Sequence, residues 1–256
     1  MHTPFTTDWA TSALQMVDVM VHPQYRGILK RKGPFFMSAA FLLEGLVGDG
    51  KEFPLAFGFP SAKHNRLGSL LGLYEEVEAI KQVSWNPLNT RPRLRIKTRP
   101  LGIDQQAIAD GLWRRMADAL KDRVIGVRDW AYLQRRYLHH PTHQYQLFLV
   151  SSRLTGRALG IYVIRMHSEA IELMDVIAAP AEIPDLIFSL RRLSHHLNTS
   201  LIYAWISSQQ APLLAGKTGE ISDTEIRVPH CHWTPGIAAD RVRNRWWLMG
   251  GDTDFR

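Results

Sequence analysis

The chain has 256 residues, of which 45% are hydrophobic and 21% are charged, and its formal charge is +7. These values are ordinary for a globular protein of one large or two small domains, and the positive charge favours an anionic partner. No apolar run reaches the roughly 18 residues that a membrane span needs, and the first residues lack the basic start and apolar stretch of a signal peptide. The one cysteine, Cys231, excludes an intramolecular disulfide. We therefore expect a reducing, cytoplasmic location and no membrane partner.

The first segments predict a strand followed by a helix. Residues 1 to about 13 predict an irregular lead-in, with a short strand near Ser12–Met16. Val17–Val21 is a short run rich in β-branched residues that Pro23 ends, as is typical of a buried strand. Pro34 suits the first position of a helix. The residues from there to about Val47 are apolar nearly all round, which predicts a buried helix.

The loop between this strand and this helix carries basic charges only. Its cations are Arg26, Lys30, Arg31 and Lys32. Gly27 and Gly33 allow backbone conformations closed to other residues and let main-chain N–H groups approach a ligand. The helix N-terminus adds the positive end of its dipole. These features predict a site for a ligand that carries phosphate, although neither the nucleotide P-loop nor the dinucleotide fingerprint is present.

The motif in this loop is Gln24-Tyr25-Arg26-Gly27-Ile28-Leu29, followed by Lys30–Gly33 and the helix. It resembles the acyl-CoA signature of the GNAT superfamily of N-acetyltransferases, in which Gln/Arg-x-x-Gly-x-Gly/Ala holds the CoA pyrophosphate at a helix N-terminus. Leu29 stands at the second small position, and Lys30–Gly33 restores a glycine as an insertion. Downstream, residues 57–73 are similar to the family's next strand, short helix and closing leucine-glycine turn. The resemblance covers roughly residues 14–85.

A basic run follows the predicted strands Pro54–Pro60 and Val77–Trp85 and the predicted helix Ala62–Leu71. Five cations alternate with other residues: Arg91, Arg93, Arg95, Lys97 and Arg99. In an extended chain they share one face, which is typical of a solvated edge strand. The alternative is a surface for the CoA 3′-phosphate, an acidic acceptor or nucleic acid.

The second half repeats the strand–helix–strand pattern weakly. Leu173–Pro180 matches Met16–Pro23 in apolar pattern, aspartate and proline. Its loop has no glycine and carries Glu182, which would repel a pyrophosphate, so we expect no CoA binding there. The predicted helices are Gln105–Lys121, Asp129–Leu138, Ile183–Leu197 and Ala211–Ala215. The predicted strands are Tyr145–Ser151, Arg157–Arg165, Glu172–Pro180, Ser200–Ser207 and Trp246–Met249.

The fold class implied is α/β of the α+β type, with mixed, mostly antiparallel sheets flanked by helices. Two GNAT-like units follow in tandem: residues 1–100 form a partial acyl-CoA-binding unit, and residues 101–256 form a second, degenerate unit. The first unit has no room for the strands that precede the signature in the family. Either the fold is shortened, or the sequence begins inside a longer protein.

The resemblance implies direct transfer of an acetyl group from acetyl-CoA, the acyl-donor substrate, to the amine of a small molecule. The residues expected to bind the donor are Met20, Val21, Arg26, Gly27, Ile28, Lys30, Arg31, Lys32, Gly33 and Pro34. Backbone N–H groups near Met20 and Val21 would polarise the thioester carbonyl. The family's tyrosine acid would fall near Gly68. The candidate acid–base residues are instead Tyr74, beyond the turn, with His22 and His64, because histidine titrates near neutral pH.

Other interpretations stay open at this stage. A catalytically inactive GNAT-like protein that binds CoA or a partner without turnover would explain Leu29, the missing tyrosine and the missing strands. We expect no nucleic-acid partner, since no nucleic-acid module is present, and no metal, since His230-Cys231-His232 lacks a supporting pair. Asp252 and Asp254 suit either cation binding or a turn. An incomplete sheet edge favours a homodimer.

Overall fold

The computed structural model describes residues 2–6, 10–17, 20–25, 33–91 and 95–253. In this part of the chain the strands are β1 (His2–Thr6), β2 (Ala10–Met16), β3 (Leu55–Gly58), β4 (Tyr74–Trp85), β5 (Ile96–Pro100), β6 (Val124–Gly126), β7 (Gln146–Ser152), β8 (Ala158–Met166), β9 (Ala170–Ala178), β10 (Leu201–Ser207), β11 (Glu220–Cys231) and β12 (Trp246–Trp247). The helices are α1 (Pro34–Leu46), α2 (Ala62–Leu70), α3 (Gln106–Ala119), α4 (Trp130–Leu133), α5 (Ile183–His196), α6 (Ala211–Ala215) and α7 (Ala239–Val242). Across these ranges, no helix combines the length and the apolar character that crossing a bilayer requires.

One mixed sheet contains all the strands just named. Their order is β12-β6-β1-β2-β3-β11-β4-β10-β9-β8-β7-β5. Most neighbours are antiparallel, but β2 with β3, β9 with β10, and β6 with β12 are parallel. The first two pairs are each joined by a helical crossover, α1 and α5 respectively, as parallel strands require. The mixed fold class and the two repeated units predicted from the sequence are confirmed.

The strand predicted at Val17–Val21 is wrong. The strand before α1 is β2, which ends at Met16, while Val17, Met20 and Val21 lie outside any strand and residues 18 and 19 lie outside the described part. Pairing explains the shift. Residues 10–14 pair with β1, and Ala13–Met16 pair with Leu55–Gly58 of β3. These pairings place the strand earlier in the sequence than the β-branched run predicts. The strand β1 also replaces the irregular lead-in that we predicted.

The helix α1 begins at Pro34 as predicted, but only one of its faces is buried. Phe36 and Leu43 pack in a cluster with Leu14 and Leu73. On the opposite face Phe41 is 81% exposed, and Met37 is 60% exposed. The prediction of a helix buried all round is therefore wrong, because the sheet covers one side of it only.

Two strands differ in how well the sequence predicted them: β5 was expected and β11 was not. The edge-strand interpretation of the basic run is confirmed for Ile96–Pro100, because β5 pairs with β7 at the end of the sheet. Arg95 lies in the turn before β5, and residues 92–94 lie outside the described part. The long strand β11 was not predicted. Its first half is polar and exposed, yet it pairs with β4 over most of its length and meets β3 at Phe57. The unit boundary near residue 100 stays a prediction.

A buried ion cluster joins the C-terminal segment to the rest of the sheet. Arg128 is fully buried and donates from Nε to Asp175 at 2.9 Å and from Nη2 to Asp252 at 2.5 Å. Burial lowers the pKa of the Arg128 guanidinium, but the two carboxylates raise it more, so its pKa lies well above the ordinary value. The hydroxyls of Tyr132 and Tyr137 donate to the second oxygen of Asp175. Asp252 is therefore an ion-pair partner here.

We expect Arg128→Met to lower the free energy of unfolding by about 3–5 kcal/mol, because it leaves buried carboxylates without their cation. Urea denaturation measures this value. Arg95→Met is the matched control, since the ion pair of Arg95 with Asp185 is long, at 3.9 Å, and largely exposed. Its cost should stay below about 1 kcal/mol. Equal losses in the two variants would contradict a structural role for the cluster.

Candidate functional site

A cavity of about 310 Å³ opens where β2 and β3 end. The parallel pairing of these strands stops at Met16 and Gly58, and both residues line the cavity. The other lining residues come from the loop after β2, from α1, from β3 and the turn that follows it, and from the starts of α2 and β4 and the end of β11. They are Met20, Phe35, Leu43, Ala56, Phe57, Phe59, Pro60, Ser61, His64, Tyr74, Pro229, His230 and Cys231. Most of these side chains are apolar, and the polar ones lie in a few places, as in sites for small ligands.

Tyr74 lies at the start of β4, and its ring occupies the space next to Gly68 of α2. A Cβ atom at Gly68 would overlap the Tyr74 ring. The sequence resemblance puts the family's tyrosine near position 68, and here the ring of a residue six positions later fills that space. Burial raises the pKa of Tyr74 to about 12. Its hydroxyl therefore keeps its proton at neutral pH, as a proton donor must.

Of the two candidate histidines, one lines the cavity. His64 is exposed in the first turn of α2, where its backbone N–H is capped by the hydroxyl of Ser61 at 3.4 Å. Its ring stacks on Phe35 with a centroid distance of 5.8 Å. His22 is also exposed and contacts Tyr25, but it is not among the cavity residues. The structure thus brings His64 and Tyr74 to one site and leaves His22 outside its lining.

The predicted donor-binding residues are described only at the two ends of the loop. Met20 lines the cavity and is 84% exposed, and Val21 packs against the cluster under α1. Gly33 is the N-cap of α1 and Pro34 its first residue. The φ of Gly33 is −81°, a conformation open to any residue, so the special backbone that we predicted there is wrong. Six predicted residues lie outside the described part: Arg26, Gly27, Ile28, Lys30, Arg31 and Lys32.

Sequence analysis missed the contribution of β11 to the cavity wall. His230 is buried, and its ring nitrogens lie 3.1 Å from the carbonyl oxygen of Ala56 and 2.7 Å from that of Ile237. Burial lowers the pKa of His230 by more than these two hydrogen bonds raise it, so its pKa lies below the ordinary value. Cys231 follows it and lines the same cavity. Over the described residues, no group of three metal-binding side chains is present.

The corresponding place in the second unit is occupied by the chain itself. The pairing of β9 with β10 stops at Leu173 and Ala204. Beyond these residues, Ile206 forms a bridge with Met249, and a Cβ atom on Gly251 would lie 3.2 Å from the carbonyl oxygen of Met174. Residues 248–252 therefore contact both strands where the first unit has a cavity. That the second unit binds no CoA stays a prediction; Glu182, on which it rests, pairs with Arg157.

We expect Gly68→Ala to lower the free energy of unfolding by about 1–3 kcal/mol, because the new methyl group displaces the Tyr74 ring. Alanine otherwise stabilises a helix relative to glycine. Gly45→Ala in α1 is the matched control, since a Cβ atom there meets no described atom within 4 Å; it should stabilise the chain by about 0.5–1 kcal/mol. Thermal or urea unfolding measures both. Stabilisation by Gly68→Ala would contradict the placement of the ring.

The comparisons with known proteins point to one fold. No protein-family model and no curated protein matches the sequence. Among solved structures, a GCN5-related N-acetyltransferase from Anabaena variabilis is similar with a TM-score of 0.60 and 12% identity, over 91% of this chain and 58% of that one. The Saccharomyces cerevisiae N-myristoyltransferase with bound myristoyl-CoA is similar with a TM-score of 0.54 and 9% identity, over 95% and 66% of the two chains.

A tandem GNAT protein from the clavulanic acid biosynthesis pathway is also similar, with a TM-score of 0.52 and 10% identity, over 88% of this chain and 76% of that one. The chain thus spans about three fifths to three quarters of the length of these proteins. At such low identities the likeness concerns the fold. The chain has the fold of the GCN5-related N-acetyltransferase superfamily, with two such units in tandem.

Proposed function

We propose that this protein is an acyl-CoA-dependent N-acyltransferase that transfers an acyl group directly from CoA to the amine of a small molecule. The observation that carries the proposal is the cavity at the ends of β2 and β3, with Tyr74 in its lining. Support comes from the fold, because the Saccharomyces cerevisiae N-myristoyltransferase, which has a similar fold, was solved with bound myristoyl-CoA. Acetyl-CoA is the simplest donor of this class. The basic loop from Arg26 to Lys32, ahead of the N-terminus of α1, would hold the pyrophosphate.

The donor would enter the gap between the two strands. The last described pair of β2 with β3 is Met16 with Gly58. We propose that a pantetheine arm pairs with the backbone beyond this point as an added strand does. Backbone N–H groups near Met20 and Val21 would then face the thioester carbonyl and hold the oxyanion.

The chemistry needs an acid for sulfur and a base for nitrogen. The amine nitrogen attacks the thioester carbonyl carbon, the C–S bond breaks, and the electron pair leaves on sulfur. The Tyr74 hydroxyl, which carries its proton at neutral pH, would donate that proton to the departing thiolate. His64, exposed at the same cavity, would accept the proton that the amine loses. His22 stays a second candidate for that role. Proximity of the bound reactants contributes further to the rate.

A CoA-binding protein without turnover is the less favoured alternative. It was suggested by Leu29, by the missing strands and by the glycine at position 68, where the family has its tyrosine. The Tyr74 ring lies against that glycine and provides a phenol at the cavity. Of these three features, the missing tyrosine therefore has a local replacement in Tyr74.

We expect acetyl-CoA and CoA to bind the purified chain with micromolar dissociation constants. Arg26→Ala should weaken this binding tenfold or more, about 1.4 kcal/mol, because it removes a cation from the pyrophosphate loop. Titration calorimetry measures the constants. Arg95→Ala, at the far edge of the sheet, is the control and should leave them unchanged. Absence of binding by a well-folded chain would overturn the proposed function.

We expect Tyr74→Phe to lower kcat by about 10²- to 10⁴-fold, the usual contribution of a positioned acid, while the dissociation constant of acetyl-CoA stays within twofold. Steady-state kinetics with an acceptor found by screening measures this. Because the pKa of Tyr74 is raised to about 12, the wild-type rate should show no alkaline decline up to the ordinary tyrosine pKa of 10. Tyr203→Phe, remote from the cavity, serves as control. An unchanged kcat in Tyr74→Phe would remove Tyr74 from the mechanism.

A further inference from the structure

The cavity extends from exposed residues at the surface to buried residues beneath α1. Its open end lies at exposed residues, Met20, Ser61 and His64. Its inner end is formed by Leu43, which is fully buried, and Ala56, which is 1% exposed. Phe35 and Leu43 both line it and lie eight residues apart on α1, so the cavity follows this helix for about 12 Å.

Small side chains on the sheet leave this space open. Ala56 and Cys231 line the cavity and share a cluster with α1, and larger residues at these positions would fill the space. The polar groups at the inner end are engaged elsewhere. Both nitrogens of His230 lie near carbonyl oxygens, and the sulfur of Cys231 lies 3.4 Å from the hydroxyl of Thr234. The side chains that form the inner end, Leu43 and Ala56, are themselves apolar.

A void of this kind favours an apolar occupant. An apolar cavity of about 150 Å³ stays dry in another protein and binds benzene, and the volume here is about 310 Å³. An acetyl group places a single methyl beyond the thioester and leaves the inner end empty. Interiors are otherwise close-packed, so an unfilled inner end is costly to the fold.

We infer that the donor carries an acyl chain longer than acetyl, of about eight carbons, which lies under α1 between the thioester and Ala56. An extended hydrocarbon chain advances about 1.3 Å per carbon, given C–C bonds of about 1.5 Å. About 12 Å of helix then spans eight or nine carbons. This inference rests on the proposed function, because it assigns the substrate class of the same site.

The test is a calorimetric titration of the full chain with CoA, acetyl-CoA and octanoyl-CoA. Each buried methylene contributes about 0.8 kcal/mol, which is about fourfold in affinity. Octanoyl-CoA should therefore bind at least tenfold more tightly than acetyl-CoA. Binding of the two donors within threefold of each other would overturn the inference and leave the proposed function standing. Absence of binding by all three compounds would overturn both.

Three variants test where the acyl chain of the donor lies within the cavity. Ala56→Leu fills the inner end and should weaken octanoyl-CoA at least tenfold while acetyl-CoA stays within twofold. Leu43→Ala lengthens the cavity and should raise the affinity for dodecanoyl-CoA relative to octanoyl-CoA, an outcome that a poorly folded variant would not produce. Val47→Ala is the matched control, since Val47 packs in the same cluster but does not line the cavity. An unchanged chain-length preference in both Ala56→Leu and Leu43→Ala would overturn the placement.

Discussion

The parallel pairing of β2 with β3 is the constraint on which the site depends. Parallel neighbours need a crossover, and α1 supplies it by packing its apolar face on the sheet. Both strands then end at the same side, with their last pair at Met16 and Gly58. The segments that follow the two strands therefore lie at that side of the sheet. They are the basic loop and the start of α2, and the start of β4 lies beside them. The cavity follows from strand topology before any catalytic residue is considered.

The same topology in the second unit has the opposite outcome. Beyond the last pairs of β9 and β10, the segment 248–252 takes the place that a ligand would take, and the amide of Ser207 donates to the carbonyl of Leu248 at 2.9 Å. Asp252 is buried with this segment, and Arg128 offsets the cost of burying its charge. An internal segment is always present at high effective concentration. The second unit is therefore filled by its own chain, and the first keeps the open site.

Local patterns predicted most elements, and long-range pairing accounts for what they missed. The helix at Pro34, the Asp129 N-cap and the hairpin around Gly156 each carry their signal within a few residues, and the structure has all three. The end of β2 depends on β1 and β3, and β11 is recognisable only through its partners. The placement of Tyr74 against Gly68 is a packing result, since the sequence gives the spacing of two residues but not the direction of a ring.

The contribution of β11 also bears on what constitutes the functional unit. Residues 1–100 contain β2, α1, β3, α2 and the start of β4, which are the elements of the acyl-CoA signature. One wall of the cavity, however, is made by Pro229, His230 and Cys231, and β3 meets the rest of the sheet through the pair Phe57 and His230. Without β11, the cavity would lose this wall, and the carbonyl oxygen of Ala56 would lose its contact with the His230 ring. The cavity thus combines residues of the signature with a strand that lies more than 100 residues later in the sequence. Both halves of the chain therefore contribute to its wall.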